Sequence, residues 1–145
     1  MSLEPGLIDA NVLVYAMDAD AQHHTASRAL LETAARDQST TLFVTSQVLC
    51  EFYSIVTNGR RVPKPRSSEE ALRAISSLLT FLQVLPVPAR AVETWMDLLR
   101  RQPGTGGDVF DLQIVATMQS NGVQRIYTFN TADFQVFPEL AVVVP

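Results

Sequence analysis

The sequence has 145 residues, a length that suits one domain with one core, and its 47% apolar content with ordinary Gly and Pro is globular. No apolar run approaches the roughly 20 residues that a helix needs to cross a bilayer, which excludes a helical membrane protein. The formal net charge of −4 weighs against a protein that grips phosphates over its whole surface.

In chain order, Leu7-Ile8 opens a short apolar strand, ended by the turn-forming Asp9-Ala10-Asn11 and followed by Val12-Leu13-Val14-Tyr15. His24 to about Asp37 reads as a helix, with Ala26, Ala29, Leu30 and Ala34 spaced three and four apart. Thr41–Val44 is a β-branched and aromatic run, hence a strand. Ser46 starts a second helix through Thr57, for which Asn58-Gly59 is a C-cap pair. The stretch from Arg60 to Arg66 carries two prolines and four bases and reads as a loop. Ser67-Ser68-Glu69-Glu70 has the spacing of a capping box and opens a helix to about Leu82. Val84-Leu85 is a minimal strand, and Ala89 to Arg101 is helical, broken by Gln102–Gly107. Asp108 to Asn121 is a further helix closed by Gly122; Arg125–Thr128 and Leu140–Val144 are strands. Short strands alternating with helices predict an α/β fold, a short, mostly parallel sheet flanked by helices, in a single domain over residues 1–145.

The single cysteine, Cys50, has no internal partner and sits in an apolar helical stretch, where it reads as core filler. It points to a reducing, cytoplasmic compartment, and Met1–Pro5 lacks the features of a secretory signal. Basic residues gather at Arg60, Arg61, Lys64 and Arg66, and again at Arg100 and Arg101. The first group is a candidate for phosphate contact or a solvated basic loop.

Several acids stand in apolar company. In parallel sheets, ligands bind beyond the carboxyl ends of the strands. Asp9 follows the first strand, and Asn130 and Asp133 follow the strand Arg125–Thr128. Glu51 lies early in the helix after the second strand, three residues after Val48 and four before Ile55. It is either on the apolar stripe, where an ionised carboxylate needs a partner or a metal, or beside it and wet. Asp108 fits a helix N-cap. Asp111 would favour the helix dipole at the third position, yet it shares a face with Ile114, Val115 and Met118. Acids without cysteine or clustered histidine ligands select a hard cation such as Mg²⁺ or Mn²⁺. Zinc is disfavoured, since the histidines, His23 and His24, are adjacent and read as surface or helix-start residues.

These segments resemble a known family. Leu7–Ala16 is similar to the opening of PIN domains, especially VapC-type toxins of toxin–antitoxin pairs. Ser46–Phe52 resembles the segment carrying their glutamate, Phe110–Met118 their third acidic motif and Thr128–Phe134 the fourth. The motifs come in the family order. The resemblance implies a PIN-like fold, a Mg²⁺-dependent (or Mn²⁺-dependent) endoribonuclease, an RNA substrate, a homodimer and a small antitoxin partner. It makes Asp9 and Asp111 primary metal ligands, with Glu51 binding directly or through water. Many relatives have an aspartate where this chain has Asn130, so Asp133 or Asn130 completes the set, and Thr128 hydrogen-bonds a phosphate or a ligand. Asn11 and Asp108 are secondary candidates. The implied chemistry is in-line attack of a metal-activated water on an RNA phosphodiester. A dehalogenase-like phosphatase would need an aspartate at position 11, where this chain has Asn11. A PIN-like module that binds RNA or protein without cutting is the alternative.

Overall fold

Leu7 and Ile8 have no exposed surface, and their run forms β1 (Gly6–Ile8), the middle strand of a five-stranded sheet. The computed structural model describes residues 3–37, 39–104 and 107–145. Around β1 the chain builds α1 (Ala10–Ala16), α2 (His24–Arg36), β2 (Leu42–Val44), α3 (Ser46–Val56), α4 (Ser68–Leu78), β3 (Leu82–Val84), α5 (Ala91–Arg101), α6 (Gly107–Ser120), β4 (Arg125–Tyr127) and β5 (Ala141–Val143). A 3-10 turn, Thr131–Asp133, lies between the last two strands.

The sheet order is β3-β2-β1-β4-β5, and every pairing is parallel. The chain moves outward from β1 through β2 to β3, then crosses back to lay β4 on the other side of β1. The strand order therefore reverses between β1 and β4, where the connections leaving their carboxyl ends part and open a crevice. The β1–β4 pairing continues one step past the strand, as the Asp9 amide donates to the Tyr127 carbonyl at 3.0 Å. Gly6 makes the close approach possible: a Cβ there would lie 2.9 Å from the Tyr127 ring. Val12, Leu13, Val48, Phe52, Ile114, Val115 and Met118 bury the apolar stripes of α1, α3 and α6 in one core with Leu42, Val44 and Ile126. Phe134 and Phe137, at 1% and 2% exposed, pin the segment after β4 to that core, each burial stabilising by roughly 1.5–3 kcal/mol.

The parallel α/β architecture agrees with the sequence expectation, and the capping box forms: the Glu70 amide donates to Ser67 Oγ, and the Ser67 amide to Glu70 Oε1. Other details differ. Asp9-Ala10-Asn11 is no separate turn. Asp9 caps α1 through the Ala10 amide, so Val12–Tyr15 continues a helix whose Val12, Leu13 and Ala16 face the core. Asn58-Gly59 forms no left-handed cap, because Gly59 does not take a positive φ; Gly122 does, at 70°. The fourth helix stops at Leu78, and Leu82 already pairs with Leu42 in β3, two residues ahead of the strand read from Val84-Leu85. Cys50 is exposed rather than core filler, since the buried stripe of α3 runs through Val48, Phe52 and Val56. α6 begins at Gly107, which puts Asp108 inside its first turn and not at the N-cap. Residues 1–2 of the start read as lacking a signal, and 105–106 of the helix-breaking segment, lie outside the described residues.

Candidate metal centre

Asp9 is the best-held acid. The residue is 6% exposed at the carboxyl end of β1, and three donors converge on its carboxylate. The Ala10 amide donates to Oδ1 at 2.8 Å, while Asn11 Nδ2 and Thr128 Oγ1 donate to Oδ2 at 3.0 and 2.8 Å. Asn11 is a hub: its Nδ2 also reaches Thr128 Oγ1 at 3.1 Å, and its Oδ1 accepts the Phe129 amide at 3.0 Å. Thr128 in turn accepts the Asn130 amide at 3.0 Å. One network thus locks the end of β1 to the end of β4. Burial pushes the Asp9 carboxyl above its ordinary range, and the charge of Asp133 adds to that; the hydrogen bonds from Thr128, Ala10 and Asn11 pull the other way.

The other acids gather around Asp111. Desolvation, followed by the charges of Asp133, Asp9, Glu51 and Asp108, raises its carboxyl to about 7. Glu51 is raised as well, by partial burial of its carboxylate and then by the charge of Asp9, with Arg61 opposing. The residue as a whole is exposed, so Glu51 flanks the apolar stripe of α3 and leans towards the other acids. Asp133 stands on the 3-10 turn, placed by the burial of Phe134 next to it. Asp9, Glu51, Asp111 and Asp133 are therefore brought into one electrostatic cluster at the β1/β4 crevice, and Asp108 joins them. A cleft of about 190 Å³ beside it is lined by Asp108, Asp111 and Asp133 together with Pro103, Val136 and Phe137.

The donors suit a hard cation: they are oxygen throughout, and among the described residues the one positive charge acting on them is Arg61. Among the described residues, no three or more of His, Cys, Asp and Glu are gathered closely enough to hold an ion as the side chains stand. A cation bound among these carboxylates would offset their mutual repulsion.

The basic group divides. Arg60, Arg61 and Lys64 are exposed, and Arg61 faces Glu51. Arg66 is occupied, donating to the Met17 carbonyl at 2.8 Å and facing Glu70 at 3.7 Å. Arg100 pairs with Asp97, and Arg101 with Glu139. The histidines sit where helix α2 starts, as expected, but one has company the sequence spacing could not show. His23 stacks on Phe129 with ring centroids 4.2 Å apart, and Tyr15 meets both rings edge-on. That aromatic group packs behind the Asn11 hub, since Phe129 supplies one of its hydrogen bonds.

Asp133 and Asn130 are separated by this geometry. Asp133 acts on both Asp9 and Asp111, whereas Asn130 contributes its backbone amide to Thr128. Asp133→Ala should therefore cost far more of any Mg²⁺-dependent activity than Asn130→Ala, whose backbone bond survives. The same two variants melted side by side guard against a capping effect, which would appear as a loss of about 1 kcal/mol of stability with activity kept. The reverse order of activities would assign the fourth position to Asn130.

A model of the PIN domain matches residues 6–140. Ribonuclease VapC43 of Mycobacterium tuberculosis is 42% identical over 72 residues, 50% of this chain and 48% of that protein. The chain thus spans about half the length of the curated relatives it matches. Among solved structures, VapC20 of Mycobacterium tuberculosis, described as a sarcin-ricin loop cleaving toxin, superposes with a TM-score of 0.71 at 21% identity, covering 96% of this chain and 98% of that one. VapBC2 from Rickettsia felis, bound to a DNA fragment from its promoter, gives 0.69 at 20% identity over 97% and 98%. At such identities the superpositions speak for the fold.

Proposed function

Because this chain belongs to the PIN domain family, we propose that it is a divalent-metal-dependent endoribonuclease, the toxin of a toxin–antitoxin pair. The observation that carries the reading is the cluster of Asp9, Glu51, Asp111, Asp133 and Asp108 at the β1/β4 crevice, in which the Asp111 carboxyl is raised to about 7. So much uncompensated negative charge is costly for a fold unless a cation is to be bound there. Curated relatives named as ribonucleases support the activity.

Asp9 and Asp111 would hold the ion directly, with Glu51 and Asp133 completing the set. A bound Mg²⁺ would polarise a phosphoryl oxygen and stabilise charge on the leaving oxygen of an RNA phosphodiester. The chain's own part is positional. Thr128 and Asn11 on Oδ2, with the Ala10 amide on Oδ1, fix the orientation of the Asp9 carboxylate, and Glu51, opposed by Arg61, would orient the attacking water. Arg60, Arg61 and Lys64 are exposed and available to RNA phosphates.

The partner reading rests on an apolar cleft between α1, α2 and α4. It has a volume of about 370 Å³ and is lined by Leu13, Met17, Leu31, Ala74, Leu78 and Phe81 among others. It is the size and chemistry for a short apolar segment of an antitoxin, and neighbours in fold come from VapBC and toxin–antitoxin complexes. We place the chain in the cytoplasm as a homodimer on the same reading.

The purified chain should cleave RNA with Mg²⁺ or Mn²⁺, lose that activity in EDTA and regain little of it with Zn²⁺, whose preferred nitrogen and sulfur ligands are missing from this set. Expression should arrest growth, and co-expression of the cognate small antitoxin should relieve the arrest. Cleavage that persists in chelator would overturn the metal mechanism; metal-tight protein that binds RNA without cutting would favour the non-catalytic module.

A further inference from the structure

Two side chains from different helices hold the same turn of α6. Gln47 Nε2, on α3, donates to the Phe110 carbonyl at 2.9 Å, and Trp95 Nε1, on α5, donates to the Val109 carbonyl at 3.1 Å. These carbonyls immediately precede Asp111. A helix carbonyl takes one N–H from four residues on and keeps a second lone pair, so both bonds are additions to the helix and replace nothing in it.

Among the described residues, the side chains of this turn are little buried. Phe110 is 60% exposed and Asp108 is exposed, so the burial that fixes most of α6 starts at Leu112. The turn nevertheless carries Asp108 and Asp111, three residues apart and so on one face. Gln47 in turn lies four residues before Glu51, one helical turn away on the same face of α3. The bond from Gln47 to Phe110 therefore ties the helix bearing Glu51 to the turn bearing Asp111, across a gap that no backbone pairing spans. Trp95 braces that turn from α5.

We propose that Gln47 and Trp95 are positioning residues for the metal centre, clamping the first turn of α6 so that Asp111 stands at a fixed distance from Glu51 and can share an ion with it. The inference rests on the metal-dependent reading above and adds that the geometry of the ligand set is held by these two donors, neither of which is a ligand itself.

The test is direct Mn²⁺ binding to the full chain, read from the electron paramagnetic resonance of the free ion without RNA, with thermal melting of the same samples. Gln47→Met keeps the side-chain length and loses the donor; Trp95→Phe keeps most of the ring and loses the indole N–H. Each should weaken Mn²⁺ binding about tenfold, the lower end of what loss of a residue supporting a metal ligand costs, while the melting temperature changes little. Added to Asp111→Asn, Gln47→Met should bring no further loss, because the clamp acts through Asp111. Unchanged affinity in both single variants overturns the proposal, as does a loss that follows melting or persists in the Asp111→Asn background. Wild-type protein that binds no Mn²⁺ overturns the metal reading itself, a result distinct from wild-type binding that the variants leave intact.

Discussion

Asp111→Asn should lower RNA cleavage by about a thousandfold or more at saturating Mg²⁺ and leave the protein folded, with metal-free stability equal or higher. On the proposed metal reading, the activity loss follows from removing a direct ligand, and with it the several kcal/mol of charge stabilisation a metal would give the transition state. The gain in stability follows from the environment: Asp111 is raised to about 7 by desolvation and four like charges, so neutralising it removes a penalty. Asp9→Asn should abolish cleavage equally but melt lower. Its two carboxylate oxygens accept from Ala10, Asn11 and Thr128, whereas an amide has one oxygen and would turn its own N–H groups on Asn11 and Thr128. Thr128 Oγ1 already accepts from Asn11 and Asn130, so it offers no easy refuge. An unsatisfied buried polar group of this kind costs about 1–3 kcal/mol. Near-normal turnover in Asp111→Asn would remove that residue from the ligand set. Asp9→Asn melting at or above wild type would show that the network around Asp9 does not hold it as described.

The sequence carried most of what is local and lost what is not. Helices α2 and α3 and the capping box at Ser67 announce themselves within a turn or two, because apolar spacing and cap chemistry act over three or four residues. The acids were readable for a related reason: a carboxylate beside Ile114 and Val115, or at the end of a run such as Leu7-Ile8, is out of place wherever the rest of the chain goes. Helix α1 was harder, since Asp9-Ala10-Asn11 serves equally as a turn or as a cap, and only the packing of Val12, Leu13 and Ala16 decides. Cys50 shows the converse. Its neighbours are apolar, but its angle around α3 turns it outward. The contact of Gln47 with Phe110 spans 63 residues, and that of Thr128 with Asp9 spans 119. Nothing in the spacing of either pair encodes it; for Thr128 and Asp9 the parallel sheet order does, by bringing the ends of β1 and β4 together.

The raised acids make stability and metal binding respond to pH in opposite senses. In metal-free protein, the Asp111 carboxyl is raised to about 7 when folded from the ordinary 3.8 of the unfolded chain, and Asp9 and Glu51 are raised in the same direction. Between those pH values the folded chain holds protons that the unfolded chain has released. Stability therefore is greatest below about pH 4 on this account and falls as pH rises through 7. A cation bound at this site would reverse the slope, because it would bind the ionised carboxylates and displace those protons. In EDTA the melting temperature should drop from pH 5 to pH 8. Saturating Mg²⁺ should raise it strongly at pH 8 and hardly at pH 5, and Asp111→Asn should flatten both trends. Calorimetry at pH 7 in two buffers of different ionisation enthalpy should register proton release as Mg²⁺ binds the wild type, and less release in the variant. A Mg²⁺-induced shift as large at pH 5 as at pH 8 would mean that the ion sits elsewhere than among these acids.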